Sequence, residues 1–110
     1  MDGMVPVERW LDVCSLSDIP ERGARRVTVQ GIEIGVFRTH SGEVYAINNR
    51  CPHRNGPLSE GIVHDSAVTC PLHNWVIDLS TGMARGADEG CVKTYAVEIR
   101  ADRVCVRVAN

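Results

Sequence analysis

The chain has 110 residues, of which 44% are hydrophobic and 24% are charged, and its formal net charge is −2. This length and composition suit one folded domain, so we expect a single domain over residues 1–110 and exclude a disordered chain. The near-neutral charge, the short apolar stretches and the lack of a secretory signal at the start predict a cytoplasmic protein with neither nucleic-acid nor membrane partners.

The first half of the chain alternates apolar and polar residues with the period of β-strands. A strand around residues 10–13 leads into a capped turn, which Pro20 and Gly23 keep short. Further strands are predicted on either side of turns at residues 30–31 and 40–43. The sequence therefore begins with a series of antiparallel hairpins.

The last part of the chain repeats this alternation. Tyr95, Val97 and Ile99 alternate with polar or small residues, residues 101–103 form a turn, and another alternating stretch follows. No segment of useful length has the period of a helix. We therefore expect an all-β fold, either a sandwich or a barrel.

Two loops rich in metal-ligand side chains lie between these hairpins. Each loop has one cysteine and one histidine, and a proline follows each cysteine. A predicted hairpin over residues 62–68 connects the loops and would bring them side by side. Thiolate and imidazole both bind soft metal centres. The candidate ligands are Cys51, His53, Cys70 and His73.

Two metal centres could use this set of ligands. A structural zinc would be tetrahedral, but the usual zinc-finger pattern groups the two cysteines together and the two histidines together. A Rieske-type [2Fe–2S] cluster instead has two cysteines on one iron and two histidines on the other. A loop with one ligand of each type can reach both irons, so the spacing favours the cluster over zinc.

The segments Cys51-Pro52-His53 and Cys70-Pro71-Leu72-His73 together resemble the Rieske [2Fe–2S] motif, and the flanking strand pattern is similar to the Rieske fold. The resemblance implies an antiparallel β sandwich or barrel with two cluster-binding loops at one tip. It further implies that Cys51 and Cys70 bind one iron of a [2Fe–2S] cluster, and that His53 and His73 bind the other. The cluster-binding part would span about residues 46–90.

The absence of an extra cysteine in each loop indicates the subtype within the Rieske family. High-potential Rieske proteins carry one extra cysteine in each loop, and these two cysteines form a disulfide. The matching positions here are Gly56 and Leu72, which cannot form that bond. The chain is therefore similar to the ferredoxin-type branch of the family.

A narrower resemblance comes from residues 53–63, 68–79 and 86–91, which look like the small subunit of bacterial assimilatory NAD(P)H-dependent nitrite reductase. It implies a large-subunit partner that carries FAD, a [4Fe–4S] cluster and sirohaem and that reduces nitrite to ammonium. This chain would then transfer electrons or support that subunit. The alternatives are a diffusible Rieske ferredoxin of a ring-hydroxylating dioxygenase system, and a zinc-stabilised or metal-free binding module.

The other notable side chains are not interpreted as cluster ligands. Cys14, Cys91 and Cys105 are expected in the β core, because free cysteine is often buried. His40 and His64 are expected to be solvated in or beside turns. Trp75 is interpreted as a shield of the cluster or as a plain core or interface residue. Asp88 and Glu89 are interpreted as solvated acids, with contact to a basic partner surface as the alternative.

Overall fold

The computed structural model describes residues 8–52, 56–72, 74–85 and 90–109. These ranges contain β-strands, turns and two single-turn 3-10 helices over Leu16–Asp18 and Leu58–Glu60. The all-β prediction is confirmed. None of the helices in these ranges is long and apolar enough to cross a bilayer. The strands are β1 Glu8–Ser15, β2 Gly23–Val29, β3 Ile32–Arg38, β4 Val44–Asn48, β5 Ile62–His64, β6 Ala67–Thr69, β7 Val76–Asp78, β8 Thr94–Tyr95, β9 Val97–Arg100 and β10 Arg103–Ala109.

The strands form three antiparallel sheets. The base sheet has the order β1-β10-β9, the central sheet has the order β2-β3-β4-β8, and the tip sheet has the order β5-β6-β7. The predicted turn at residues 30–31 joins β2 to β3, and Gln30 and Gly31 have φ values of 52° and 79°. Left-handed turns of this kind match the twist of antiparallel hairpins.

The central sheet separates two hydrophobic cores, because consecutive side chains of a strand point to opposite faces. Ile34 and Val36 of β3 pack in the core that faces the base sheet. Phe37 of β3 and Ile47 of β4 pack in the core that faces the tip sheet. This arrangement explains why β3 is buried almost continuously rather than at every second residue.

The structure corrects one of the expectations for the cysteines. Cys14 and Cys105 are buried as expected, although the neighbours of Cys105 on adjacent strands are exposed residues of the outer face. Cys91 is exposed, so its placement in the core was wrong. It lies outside the named strands and pairs with Met83 in an isolated bridge.

Candidate metal centre

Each of the two cysteine-bearing loops is closed by a backbone hydrogen bond of the same kind. The backbone N–H of Cys51 donates to the carbonyl of Gly56 over 2.8 Å, and the N–H of Cys70 donates to the carbonyl of Trp75 over 2.7 Å. In both loops the chain therefore returns to the cysteine after five residues. Proline follows each cysteine and fixes φ at the start of each loop.

The two cysteine thiols converge in the core between the central and tip sheets. Cys51 is 1% exposed and Cys70 is fully buried. Burial raises the pKa of the Cys70 thiol, and contact with the Cys51 thiol raises that pKa further, whereas a hydrogen bond from the N–H of Leu72 lowers it. Two buried sulfurs in mutual contact fit a shared iron, because a metal ion deprotonates the thiols that it binds.

The proposed histidine ligands, His53 and His73, lie outside the described residues. Their positions in the sequence fall inside the two loops that the cysteine hydrogen bonds close. The side chains of the other two histidines contact residues outside these loops. Nδ1 of His40 lies 2.8 Å from Oε2 of Glu21, and Nε2 of His64 lies 2.7 Å from Oγ1 of Thr69.

The loops touch each other at Gly56. A Cβ atom built on Gly56 would lie 2.9 Å from Sγ of Cys70 and 3.1 Å from Cγ of Leu72. Only glycine allows so close an approach without a shift of the neighbouring loop. The positions matched to the two extra cysteines of high-potential Rieske proteins are therefore neighbours in space.

A third segment of the chain returns beside the first loop. A Cβ atom built on Gly90 would lie 3.0 Å from Cβ of Pro52 and 3.6 Å from the ring of Trp75. Trp75 is partly buried and packs against the core that contains both cysteines. The indole is thus a core side chain beneath the loops. Asp88 and Glu89 lie outside the described residues.

One polar residue beside the site was not predicted from the sequence. Asn49 is 1% exposed, and its side chain bonds Glu33 and the backbone of Ser59. An asparagine at the end of a strand commonly binds nearby backbone groups, which is a weak signal in the sequence. The two partners could not have been found without the fold.

Comparison with known proteins gives a family and several relatives. The profile of the Rieske-like [2Fe-2S] domain matches residues 9–107. The chain is 37% identical over 100 residues to the ferredoxin component of the naphthalene 1,2-dioxygenase system of Pseudomonas aeruginosa, covering 90% of this chain and 95% of that protein.

Two solved structures extend the comparison. A chain from the complex of reduced oxygenase and oxidized ferredoxin in carbazole 1,9a-dioxygenase is 30% identical, with a TM-score of 0.79 over 88% of this chain and 91% of that one. A structure assigned as a nitrite reductase NADPH small subunit is 27% identical, with a TM-score of 0.80 over 89% of this chain and 97% of that one. The relatives support the ferredoxin alternative better than the nitrite reductase subunit that the flanking residues predicted. Because the family match runs almost from end to end, the chain is an electron-transfer protein of the Rieske family, and a Rieske [2Fe–2S] cluster is its cofactor.

Proposed function

We propose that this protein is a Rieske ferredoxin that delivers single electrons to the oxygenase of a ring-hydroxylating dioxygenase system. The observation that carries the proposal is the 37% identity to a dioxygenase ferredoxin over 95% of that relative's length. The proposal also agrees with Gly56 and Leu72 at the positions matched to the extra cysteines. A cytoplasmic location and a single domain over residues 1–110 remain predictions.

The proposed ligands are Cys51 and Cys70 on one iron and His53 and His73 on the other. When bound, the cluster accepts and releases one electron, and two thiolates rather than four give the oxidised core no net charge. Without a disulfide between the loops, we expect a potential near the low end of the Rieske range, about −150 mV. The chain itself keeps water from the sulfurs by burying both cysteines, and the N–H of Leu72 stabilises the thiolate of Cys70.

The second loop also offers a surface for the partner. The side chain of Leu72 is 42% exposed, although its neighbour Cys70 is fully buried. An exposed leucine beside the proposed ligand His73 would be covered when an oxygenase docks, and this would exclude water from the contact surface.

A second candidate function is the small subunit of nitrite reductase, with a large-subunit partner that carries FAD, a [4Fe–4S] cluster and sirohaem. It is favoured by the 27% identity to a structure assigned to that class. One residue in segment 68–79, which resembles this subunit, does not distinguish it from other families. Asn74 has a φ of 59°, and asparagine is favoured at such positions in any family.

Electron transfer to defined acceptors separates the two candidates. The purified protein, reduced to its one-electron state, should be reoxidised rapidly by the oxygenase component of a ring-hydroxylating dioxygenase system, as followed by stopped-flow absorption. Co-purification with a sirohaem protein, and no reaction with an oxygenase, would instead support the nitrite reductase subunit. A colourless protein that contains zinc would contradict both candidates.

A further inference from the structure

We propose that Asn49 is a positioning residue, which acts through Ser59 and Glu33 to fix how the first loop presents Cys51 to the cluster. The inference goes beyond the choice of electron acceptor, and it rests on the proposed role of Cys51 as a ligand. Asn49 lies two residues before Cys51, at the point where the chain leaves β4.

The side chain of Asn49 joins the two ends of the first loop. Its Oδ1 accepts a hydrogen bond of 2.6 Å from the backbone N–H of Ser59, in the 3-10 helix Leu58–Glu60 that follows the loop. Inside this contact lies the 2.8 Å bond between the N–H of Cys51 and the carbonyl of Gly56. The loop is thus closed by two nested hydrogen bonds, and only the outer one depends on a side chain.

Glu33 determines which way the amide of Asn49 points. Nδ2 of Asn49 donates to Oε1 of Glu33 over 3.2 Å, and the backbone N–H of Asn49 donates to the carbonyl of Glu33 over 3.0 Å. An acceptor at Glu33 holds Nδ2 on that side, so Oδ1 is the atom that faces Ser59. A flipped amide would place two donors against each other and leave the N–H of Ser59 without its acceptor, which is costly in a buried site.

This arrangement connects the cluster loop to the surface of the protein. The side chain of Asn49 is buried, whereas that of Glu33 is 40% exposed and Oε2 of Glu33 lies 3.7 Å from Nε of Arg26. A Cβ atom built on Gly35 would lie 3.4 Å from Oδ1 of Asn49 and 2.7 Å from the ring of Phe37, so the amide has little space on that side. A change at Glu33 can therefore alter the loop without a substitution in the core.

The first test compares two substitutions at Glu33 in the full chain with its cluster. Glu33→Leu removes the acceptor for Asn49, whereas Glu33→Gln keeps an oxygen there and is the matched control. For Glu33→Leu we expect hydrogen exchange of the Ser59 amide, followed by mass spectrometry, to become about tenfold faster. We also expect its reduction potential and EPR spectrum to change. Glu33→Gln should match the wild type in all three measurements.

The second test reverses the polarity of the contact. Asn49→Asp places a carboxylate against the carboxylate of Glu33 and should loosen the loop. The double substitution Asn49→Asp with Glu33→Gln restores a donor opposite an acceptor, and it should recover the exchange rate and EPR spectrum of the wild type.

Two results would overturn the proposal. If Glu33→Leu leaves the exchange of Ser59 unchanged, Glu33 does not orient the amide. If exchange becomes faster while the potential and EPR spectrum stay the same, Asn49 supports the fold but does not position the ligand. Neither result depends on the electron acceptor, so failure of the dioxygenase assignment would be seen separately.

Discussion

Gly56 lies against Leu72, so closely that a Cβ atom on Gly56 would be 3.1 Å from Cγ of Leu72. This contact joins the two cysteine loops at the positions matched to the disulfide of high-potential Rieske proteins. A packing contact does not constrain two loops as a covalent bond does. If Cys51 and Cys70 bind the cluster as proposed, we expect it to supply a further connection between the loops.

Gly56→Ala should impair the cluster directly. The added methyl group would lie 2.9 Å from Sγ of Cys70, so the sulfur must shift away from its position. We expect a several-fold lower iron content and a loss of about 1–3 kcal/mol in the free energy of unfolding, as for other overpacked sites. Iron analysis and urea unfolding measure the two effects. Gly42→Ala is the control for iron content. Alanine is strained there by the φ of 92°, but its Cβ atom meets nothing within 4 Å, so the protein should keep a full complement of iron.

His73→Ala should abolish the Rieske cluster. Metal-ligand free energy is partly folding free energy, so we also expect the loops to become less stable. The visible absorption and the EPR spectrum measure cluster content. His64→Ala is the matched control, since Nε2 of His64 bonds Thr69 and the residue has no proposed role as a ligand. A normal Rieske spectrum in His73→Ala would show that the proposed ligand set is incorrect.

Asp78→Asn should destabilise the turn that follows β7. The hydroxyl of Ser80 donates to Asp78 over 2.6 Å, and this bond, together with the ion pair to Arg85 at 2.9 Å, lowers the pKa of the Asp78 carboxyl to about 2. Asparagine keeps one acceptor oxygen but loses the charge. At pH 7 we expect the free energy of unfolding to fall by about 1–2 kcal/mol.

The effect of Asp78→Asn should depend on pH in one direction. The pKa of Asp78 is lower in the folded state than its ordinary value of 3.8, so the stabilisation is complete above that value. It is lost as the pH falls from there towards 2. Urea unfolding from pH 7 to 2 should show the curves of the variant and the wild type converging in acid. The control Asp65→Asn, at an exposed turn, should change stability little at pH 7.

Gly61→Ala should destabilise the tip sheet more than the site itself. A Cβ atom on Gly61 would lie 2.1 Å from the carbonyl oxygen of Thr69, which is backbone and cannot move aside alone. We expect a loss of about 3 kcal/mol or more in the free energy of unfolding, at the upper end for overpacking. Calorimetry would measure it. Gly31→Ala serves as the comparison: a Cβ atom there meets nothing within 4 Å, so its smaller loss reports only the strain of alanine at a φ of 79°. Equal melting temperatures for Gly61→Ala and the wild type would contradict the close approach.

Sequence reasoning predicted most of the strands and turns, because alternation and turn residues are local signals. It did not predict the strand β7 Val76–Asp78, which is short and follows the second loop directly. It also placed Cys91 in the core, because free cysteine is often buried, and this general tendency does not show where a segment leaves the sheets.

The cysteine pair could be predicted because both residues and their spacing follow a motif. The residues that position the first loop could not be predicted in the same way. Glu33, Asn49 and Ser59 are ordinary polar residues, and they meet only because β3, β4 and the turn after the loop come together in the fold. Contacts of this kind leave no periodic pattern in the sequence.

The segment between β4 and β8, which contains the cysteine loops and the tip sheet, has its two ends side by side. The N–H of Asn48 donates to the carbonyl of Lys93 over 2.9 Å, and β4 pairs with β8 beside this bond. The base sheet has a core with the central sheet that contains neither Cys51 nor Cys70. We therefore expect loss of the cluster to loosen the tip sheet, while the base sheet stays packed on the central sheet.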